Sequence, residues 1–273
     1  MLEQIILGAI QGITEWIPVS SKACVIAAKV HVFHSQATYN ELISYALLLH
    51  LGTLGAALIY FRQDISDIVT SLARPAGKDN DGRKILIFLA TTTALTGLGL
   101  VLTNKVAALA NSASSAKLAI TFLIAVALII AGLLQIKTSS TGKRTPRDLN
   151  LTDGILLGLT QAIATLPGLS RAGTTMAALS ARGFEKDHML KLSFLMSMPV
   201  IFIGNIVMNY KAFGHAGIEW AGVFTAFAVG LLSISTLMNI ARRVNFGKFL
   251  VFIGVILAVS VALTVFGPFK FVD

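Results

Sequence analysis

The sequence predicts an all-α polytopic membrane protein made of two inverted repeats, each a re-entrant helix hairpin followed by three transmembrane helices. Three observations predict it. Of 273 residues only 13% are charged and 55% are hydrophobic, with a mean hydropathy of +0.78, whereas a soluble domain carries about 25% charged residues. Six apolar stretches are each long enough to cross a hydrocarbon core about 30 Å thick, which takes about 20 helical residues. Two further apolar regions are broken at their centres and match one another in sequence.

In chain order, the first broken region covers 4–28, interrupted by Glu15-Trp16-Ile17-Pro18-Val19-Ser20-Ser21-Lys22. Each flank is about half a span long, and non-helical backbone at membrane depth is tolerated only where protein or a wet cavity surrounds it. The region therefore reads as a re-entrant hairpin. Apolar runs bounded by charged and turn residues then place spans at 41–61, 85–104 and 118–136. These complete a first repeat, 1–136. A polar segment, Lys137 to Asn150, opens a cytoplasmic linker assigned to 137–153. The second repeat, 154–273, begins with a hairpin at 154–181 broken by Pro167-Gly168-Leu169-Ser170-Arg171-Ala172-Gly173, and continues with spans at 190–210, 220–240 and 248–267.

The repeat rests on offsets. Leu7-Gly8-Ala9-Ile10-Gln11-Gly12 aligns with Leu157-Gly158-Leu159-Thr160-Gln161-Ala162 at 150 residues. After a one-residue gap the offset becomes 149, pairing Pro18 with Pro167, Ser21 with Ser170, Lys22 with Arg171, and later Ser44-Tyr45 with Ser193-Phe194. Three crossings per repeat invert the second relative to the first, an architecture of many transporters that puts a site at the broken helices.

Net charge is +9, from 22 Lys and Arg against 13 Asp and Glu. The basic residues lie in short loops between apolar spans, so the excess reads as topology and not as a nucleic-acid surface. Fifteen of them fall on one side and five on the other, which makes the first side cytoplasmic, both termini exterior, and the first hairpin open to the exterior. The N-terminus, Met1-Leu2-Glu3-Gln4, lacks a basic n-region, so no cleaved leader is expected. A single cysteine, Cys24, excludes a disulfide framework and a cysteine metal cluster.

Ionisable groups at membrane depth are functional candidates by default; here they are Glu15, Lys22 and Arg171. Lys22 and Arg171 read either as snorkelling cations or, beside serines at helix N-termini, as an anion site suited to phosphate. Glu15 reads as a general base, as a ligand for Mg²⁺ or Ca²⁺, or as one half of an internal salt bridge with Lys22 or Arg171. Gln11 precedes it by four residues and shares its helix face. Ser21 and Ser170 are either nucleophiles or hydrogen-bond donors. Cys24 suits inert packing. His50, mid-span, reads as a hydrogen-bonded interior histidine, with a proton relay as the minority case. Gly8 and Gly12, a small-xxx-small pair, signal close helix packing.

The hairpin motifs carry a resemblance. Gln11-Gly12-Ile13-Thr14-Glu15-Trp16-Ile17-Pro18-Val19-Ser20-Ser21 is similar to the (E/Q)xxxE…PVSS signature of the bacitracin-resistance family of undecaprenyl-diphosphate phosphatases, and Pro167 to Gly173 resembles that family's PGxSRSG signature. Order, spacing, length and hydropathy agree end to end, and Lys191-Leu192-Ser193-Phe194-Leu195 resembles its FSFLL stretch. The resemblance implies an integral-membrane enzyme that removes one phosphate from a C55 polyprenyl diphosphate at the outer face, recycling the carrier lipid for cell-wall or surface-glycan synthesis. By position it implies Gln11 and Glu15 as the acidic pair, Ser21 as nucleophile, and Ser170, Arg171 and Thr175 as phosphate ligands.

Three positions depart from the family pattern. Cys24 stands where the family has a catalytic histidine, Lys22 where it has threonine, and Ala172 where it has the second serine of PGxSRSG. The expected site is thus Glu15, Ser21 and Arg171 for catalysis; Gln11, Ser20, Lys22, Ser170, Gly173 and Thr175 for binding; Cys24 undecided; and a divalent ion, Mg²⁺ or Ca²⁺, on Glu15. The expected partners are a polyprenyl diphosphate and the membrane, not nucleic acid, with a homodimer left open. A flippase of polyprenyl phosphates is the alternative function.

Overall fold

In a computed structural model of the chain, residues 1–17, 20–73, 81–110, 142–165, 170–210, 220–243 and 246–266 are described, with single positions between 122 and 136. Among them the chain is helical and forms no strand. The helices are α1 (Leu2–Thr14), α2 (Ser21–Ala27), α3 (Tyr39–Tyr60), α4 (Arg62–Thr70), α5 (Asp81–Ala110), α6 (Leu151–Ile163), α7 (Arg171–Ala181), α8 (Lys186–Asn209), α9 (Trp220–Arg243) and α10 (Phe246–Phe266). Three are long and apolar enough to cross a membrane: α3 over Glu41–Tyr60, α8 over Lys186–Asn209 and α9 over Trp220–Ile240. They coincide with three expected spans. α5 and α10 fall on the expected spans at 85–104 and 248–267, while most of 118–136 lies outside the described residues.

Both helix breaks are where the sequence puts them. α1 stops at Thr14, and its last backbone bond runs from the Glu15 N–H to the Gln11 carbonyl at 3.1 Å. A proline three residues on disfavours helix in the residue before it. The chain restarts after Ser20, whose extended backbone (φ −77°, ψ 97°) and side-chain oxygen, accepting from the Ala23 N–H at 3.4 Å, form the N-cap of α2. Ser170 caps α7 in the same way (φ −77°, ψ 110°), accepting from the Gly173 N–H at 3.2 Å. Serine suits the position because its oxygen satisfies an N–H that has no partner in the first turn.

These caps correct the register read from sequence. Cap to cap the hairpins are 150 residues apart, so Ser20 matches Ser170 and Ser21 matches Arg171; the pairs Ser21 with Ser170 and Lys22 with Arg171 do not occupy equivalent positions. The one-residue gap belongs further on. Ala28–Val32, running on from α2, forms a π turn, which accommodates an additional residue in a helix. α7 instead ends in a Schellman motif, with Gly183 in the left-handed region (φ 76°) and the Phe184 N–H on the Leu179 carbonyl at 3.1 Å.

Packing crosses between the two halves of the chain. α1 lies along α9, α6 lies along α5, and α3 sits between α9 and α8. The small residues of α1 make the first contact close. A Cβ on Gly8 would lie 2.9 Å from the Thr225 Cβ, and one on Gly12 would lie 2.8 Å from the Gly230 backbone nitrogen. Gly12→Leu is therefore expected to lower the unfolding midpoint in detergent, at about 1–3 kcal/mol for overpacking. Gly97→Ala, at an exposed helix position whose Cβ meets nothing within 4 Å, is expected to leave it unchanged or raise it. Equal midpoints for Gly12→Leu and wild type would refute the close approach.

Beneath the hairpin tips lies a core containing Trp16, Phe88, Met176, Leu190 and Phe194, with the Trp16 and Phe194 rings 5.4 Å apart. The second hairpin is also pinned at its base. Asp153, fully buried, receives Arg144 at 2.6 Å and Arg182 at 2.7 Å, and the Arg144 guanidinium stacks on Phe184 at 4.3 Å. A short 3₁₀ turn, Pro146–Asp148, joins this cluster to α5 through the Arg147–Asp81 ion pair at 2.8 Å.

Candidate active site

The two hairpins meet at an open cleft of about 100 Å³. The N-terminal ends of α2 and α7 both line it: Ser20, Ser21 and Lys22 from the first, Ser170, Arg171 and Ala172 from the second. Each end carries the partial positive charge of a helix N-terminus. Caps and breaks thus do one job together, turning two helix starts and two cationic side chains toward one space.

Glu15 is the hub. Its side chain is 5% exposed, yet it has four polar neighbours. Arg171 donates from Nη2 to Oε1 at 2.6 Å. Ser21 Oγ donates to Oε2 at 2.7 Å, and Gln11 Nε2 to the same oxygen at 3.0 Å. His50 Nε2 stands 3.2 Å from Oε2. Glu15 occupies this place because α1 ends there: one turn after Gln11 the carboxylate leaves the helix and reaches the first residue of α2. The salt bridge that the sequence offered as an alternative reading of Glu15 is present, with Arg171 as its partner, and it ties the two hairpins together.

Arg171 is held from two further sides. Its Nη1 donates to the Ser193 carbonyl at 3.0 Å, and its guanidinium lies 5.8 Å from the centre of the Phe194 ring. A guanidinium has five N–H donors in a planar fork, so these contacts orient it without exhausting it. Thr175 supports the arrangement from behind. It is fully buried, with its hydroxyl 2.8 Å from the Arg171 carbonyl and 2.7 Å from Ser193 Oγ.

Of the residues expected from sequence, Glu15, Ser20, Ser21, Lys22, Ser170 and Arg171 line the cleft. Gln11 stands behind Glu15. Gly173, its N–H on the cap of α7, and Thr175 are outside the lining, as is the half-buried Cys24. Sequence reasoning missed the company these residues keep. His50 reaches the cleft from the middle of α3, and Gln161, Thr165 and Ser197 also line it. The signal for Gln161 was the repeat itself, which equates it with Gln11; at that offset Thr165 is the counterpart of Glu15.

The expected divalent ion fits these side chains poorly. Calcium takes six to eight oxygen ligands and magnesium a near-ideal octahedron, while the cleft offers one carboxylate, already accepting from Arg171, Ser21 and Gln11 and flanked by two cations. Among the described residues no three His, Cys, Asp or Glu side chains are grouped to hold a metal. The chain's own donors favour an anion.

A serine, a carboxylate, an imidazole and two cations gathered at paired helix breaks in an all-helical, membrane-spanning chain make a site whose donors suit an anionic ligand. The chain is a member of the bacitracin resistance protein BacA family, whose profile matches residues 4–260. Among its relatives is the undecaprenyl-diphosphatase of Methanococcoides burtonii, 35% identical, with 96% of this chain and 98% of that protein covered. The undecaprenyl-diphosphatases of Haloarcula marismortui (35% identical, 90% and 92% covered) and Moorella thermoacetica (32% identical, 93% of each covered) are similar along comparable lengths.

Proposed function

We propose that this protein is an integral-membrane phosphatase that hydrolyses undecaprenyl diphosphate, or a closely similar polyprenyl diphosphate, to the monophosphate and inorganic phosphate, returning the carrier lipid for cell-wall or surface-glycan synthesis. The observation that carries this reading is the Ser21–Glu15–Arg171 constellation, in which a hydroxyl, a carboxylate and a guanidinium from opposite hairpins meet within hydrogen-bonding distance. The names of the relatives give it its substrate.

In this reading Arg171 and Lys22, with the N-terminal ends of α2 and α7, bind the diphosphate. A loose, metaphosphate-like transition state asks chiefly for positioning and charge stabilisation. Ser21, positioned by its bond to Glu15, forms an Oγ–P bond to the terminal phosphorus as the bridging P–O bond breaks and polyprenyl monophosphate departs. Water then hydrolyses the phosphoserine. Gln11 positions Glu15, Ser20 and Ser170 shape the two helix starts, Gly173 donates its N–H to the Ser170 cap, and Thr175 holds Arg171 from behind. A flippase would have little use for a hydroxyl paired with a carboxylate, which weighs against that alternative.

The reading also takes the chain as two inverted repeats, 1–136 and 154–273, joined by a cytoplasmic linker, with both termini and the site toward the exterior. The reciprocal packing of α1 on α9 and α6 on α5 supports the first part, and the fifteen-to-five asymmetry of basic residues supports the second. One chain supplies every group invoked, so no dimer is required.

The deciding experiment is phosphate release from C55 polyprenyl diphosphate by the purified protein in detergent, in Mg²⁺, in Ca²⁺ and in chelator. Release is expected. If it survives chelation, the anion-binding side chains suffice; if it requires the ion, the metal arrives with the diphosphate. No release under any condition, with the lipid still bound, would overturn the phosphatase.

A further inference from the structure

The strongest feature that the expected site leaves unused is His50. It is buried in the middle of α3, lines the cleft, and has both ring nitrogens engaged. Nδ1 lies 2.6 Å from the Ala46 carbonyl, one turn back on the same helix. A carbonyl only accepts, so a proton is on Nδ1; Nε2 donates to the Glu15 carboxylate when the ring is protonated and carries the lone pair when it is neutral. That Nε2 is 3.3 Å from Ser21 Oγ and 3.2 Å from Glu15 Oε2. A backbone carbonyl orienting one nitrogen while the other faces a serine hydroxyl is the arrangement of an activated nucleophile.

We infer that His50 is a catalytic residue of the reaction proposed above and the resting place of the Ser21 proton. The inference depends on Ser21 being the nucleophile. Glu15 is the nearer oxygen, but a proton left there would neutralise the carboxylate that pairs with Arg171 across the hairpins. A proton on Nε2 instead creates an imidazolium beside that carboxylate and keeps the ion pair whole. As Oγ bonds to the terminal phosphorus, its proton passes to Nε2; as the bridging P–O bond breaks, its electron pair leaves with the polyprenyl monophosphate, which takes that proton from the imidazolium. In the second step water loses a proton to Nε2 while its oxygen bonds to phosphorus, and the same proton returns to Oγ as the phosphoserine bond breaks.

The charged groups around His50 are Glu15 following α1, Lys22 of α2 and Arg171 of α7. α8 lines the cleft with the uncharged Ser197, Val200 and Ile201, and α9 meets α3 through Val223, Ala226 and Phe227. A base must be neutral to accept, so wild-type kcat/KM should fall on the acid side of its pH profile. His50→Gln should lower kcat about 100-fold or more, the usual worth of a positioned acid–base group, change KM little, and abolish that acid limb, with an unfolding midpoint near wild type. A rate within about threefold of wild type, or an unchanged limb, would overturn the inference. His50→Asn serves if the glutamine variant does not fold, and absence of the acid limb in wild type would overturn the inference without any variant. No phosphate release by wild type at all would bring down the phosphatase and this inference with it, whereas normal release with an indifferent His50 would bring down this inference alone.

Discussion

Arg171→Ala is expected to cut phosphate release from polyprenyl diphosphate by about 10³-fold or more, the scale on which an arginine aimed at a transferring phosphoryl group acts. Two effects combine. The cleft loses its one guanidinium among the described lining residues, leaving Lys22 as a point charge without a planar fork. Glu15, 5% exposed, also loses the partner at 2.6 Å, and breaking a buried pair from one side commonly costs about 3–5 kcal/mol. Arg171→Lys separates these effects, since an ammonium restores the charge against Glu15 but not the bidentate grip. The lysine variant should recover most of the unfolding midpoint and little of the rate. Full release by Arg171→Ala would remove Arg171 from the site.

Ser21→Ala is expected to abolish turnover, a loss of about 10⁴-fold or more on the scale of serine nucleophiles elsewhere, while binding of the lipid persists. Binding survives because the cations and helix N-termini of the cleft are untouched. The hydroxyl donates 2.7 Å to Glu15, so its removal leaves that carboxylate still bonded to Gln11 and Arg171 and the fold intact. A rapid quench should trap phosphoserine in wild type and none in the variant. Cys24→Ala, off the cleft, should release phosphate at the wild-type rate. If Ser21→Ala keeps its rate, water attacks the phosphorus directly and Ser21 only orients it.

How far the sequence foretold the site varies residue by residue. Ser170 was readable beside Arg171 because a serine after a proline break suits a helix start, whereas Ser20 was expected only among the binding residues and Ser21 was given its place. Gln11 and Glu15 were readable because four residues make one helical turn. The alliance of Glu15 with Arg171 was readable only as one of several options, since nothing local sets the distance between groups 156 positions apart. His50 was least readable. Inside an apolar run, a histidine bonded to the carbonyl one turn back is ordinary interior chemistry, and its second nitrogen acquires meaning only when α2 is brought against α3. The hairpin register failed for a different reason. Pro18 and Pro167 align well as letters, but a helix can absorb an extra residue in a π turn, and the letters do not mark where. Gly173 and Thr175 sit in the motif but outside the lining of the cleft, because on a helix only some positions of a motif can look toward one side.

The ion pair between Glu15 and Arg171 also has a bearing on biosynthesis. A ribosome adding about 5–20 residues per second needs on the order of ten to thirty seconds to travel the 156 positions from the carboxylate to the guanidinium. Throughout that interval the first hairpin holds an acid whose eventual counter-ion does not yet exist. The nascent hairpin must therefore keep Glu15 wet or protonated and can settle only when the second arrives. An N-terminal fragment ending before Arg171 should thus be a substrate for quality-control proteolysis, and supplying the C-terminal half as a separate polypeptide should protect it.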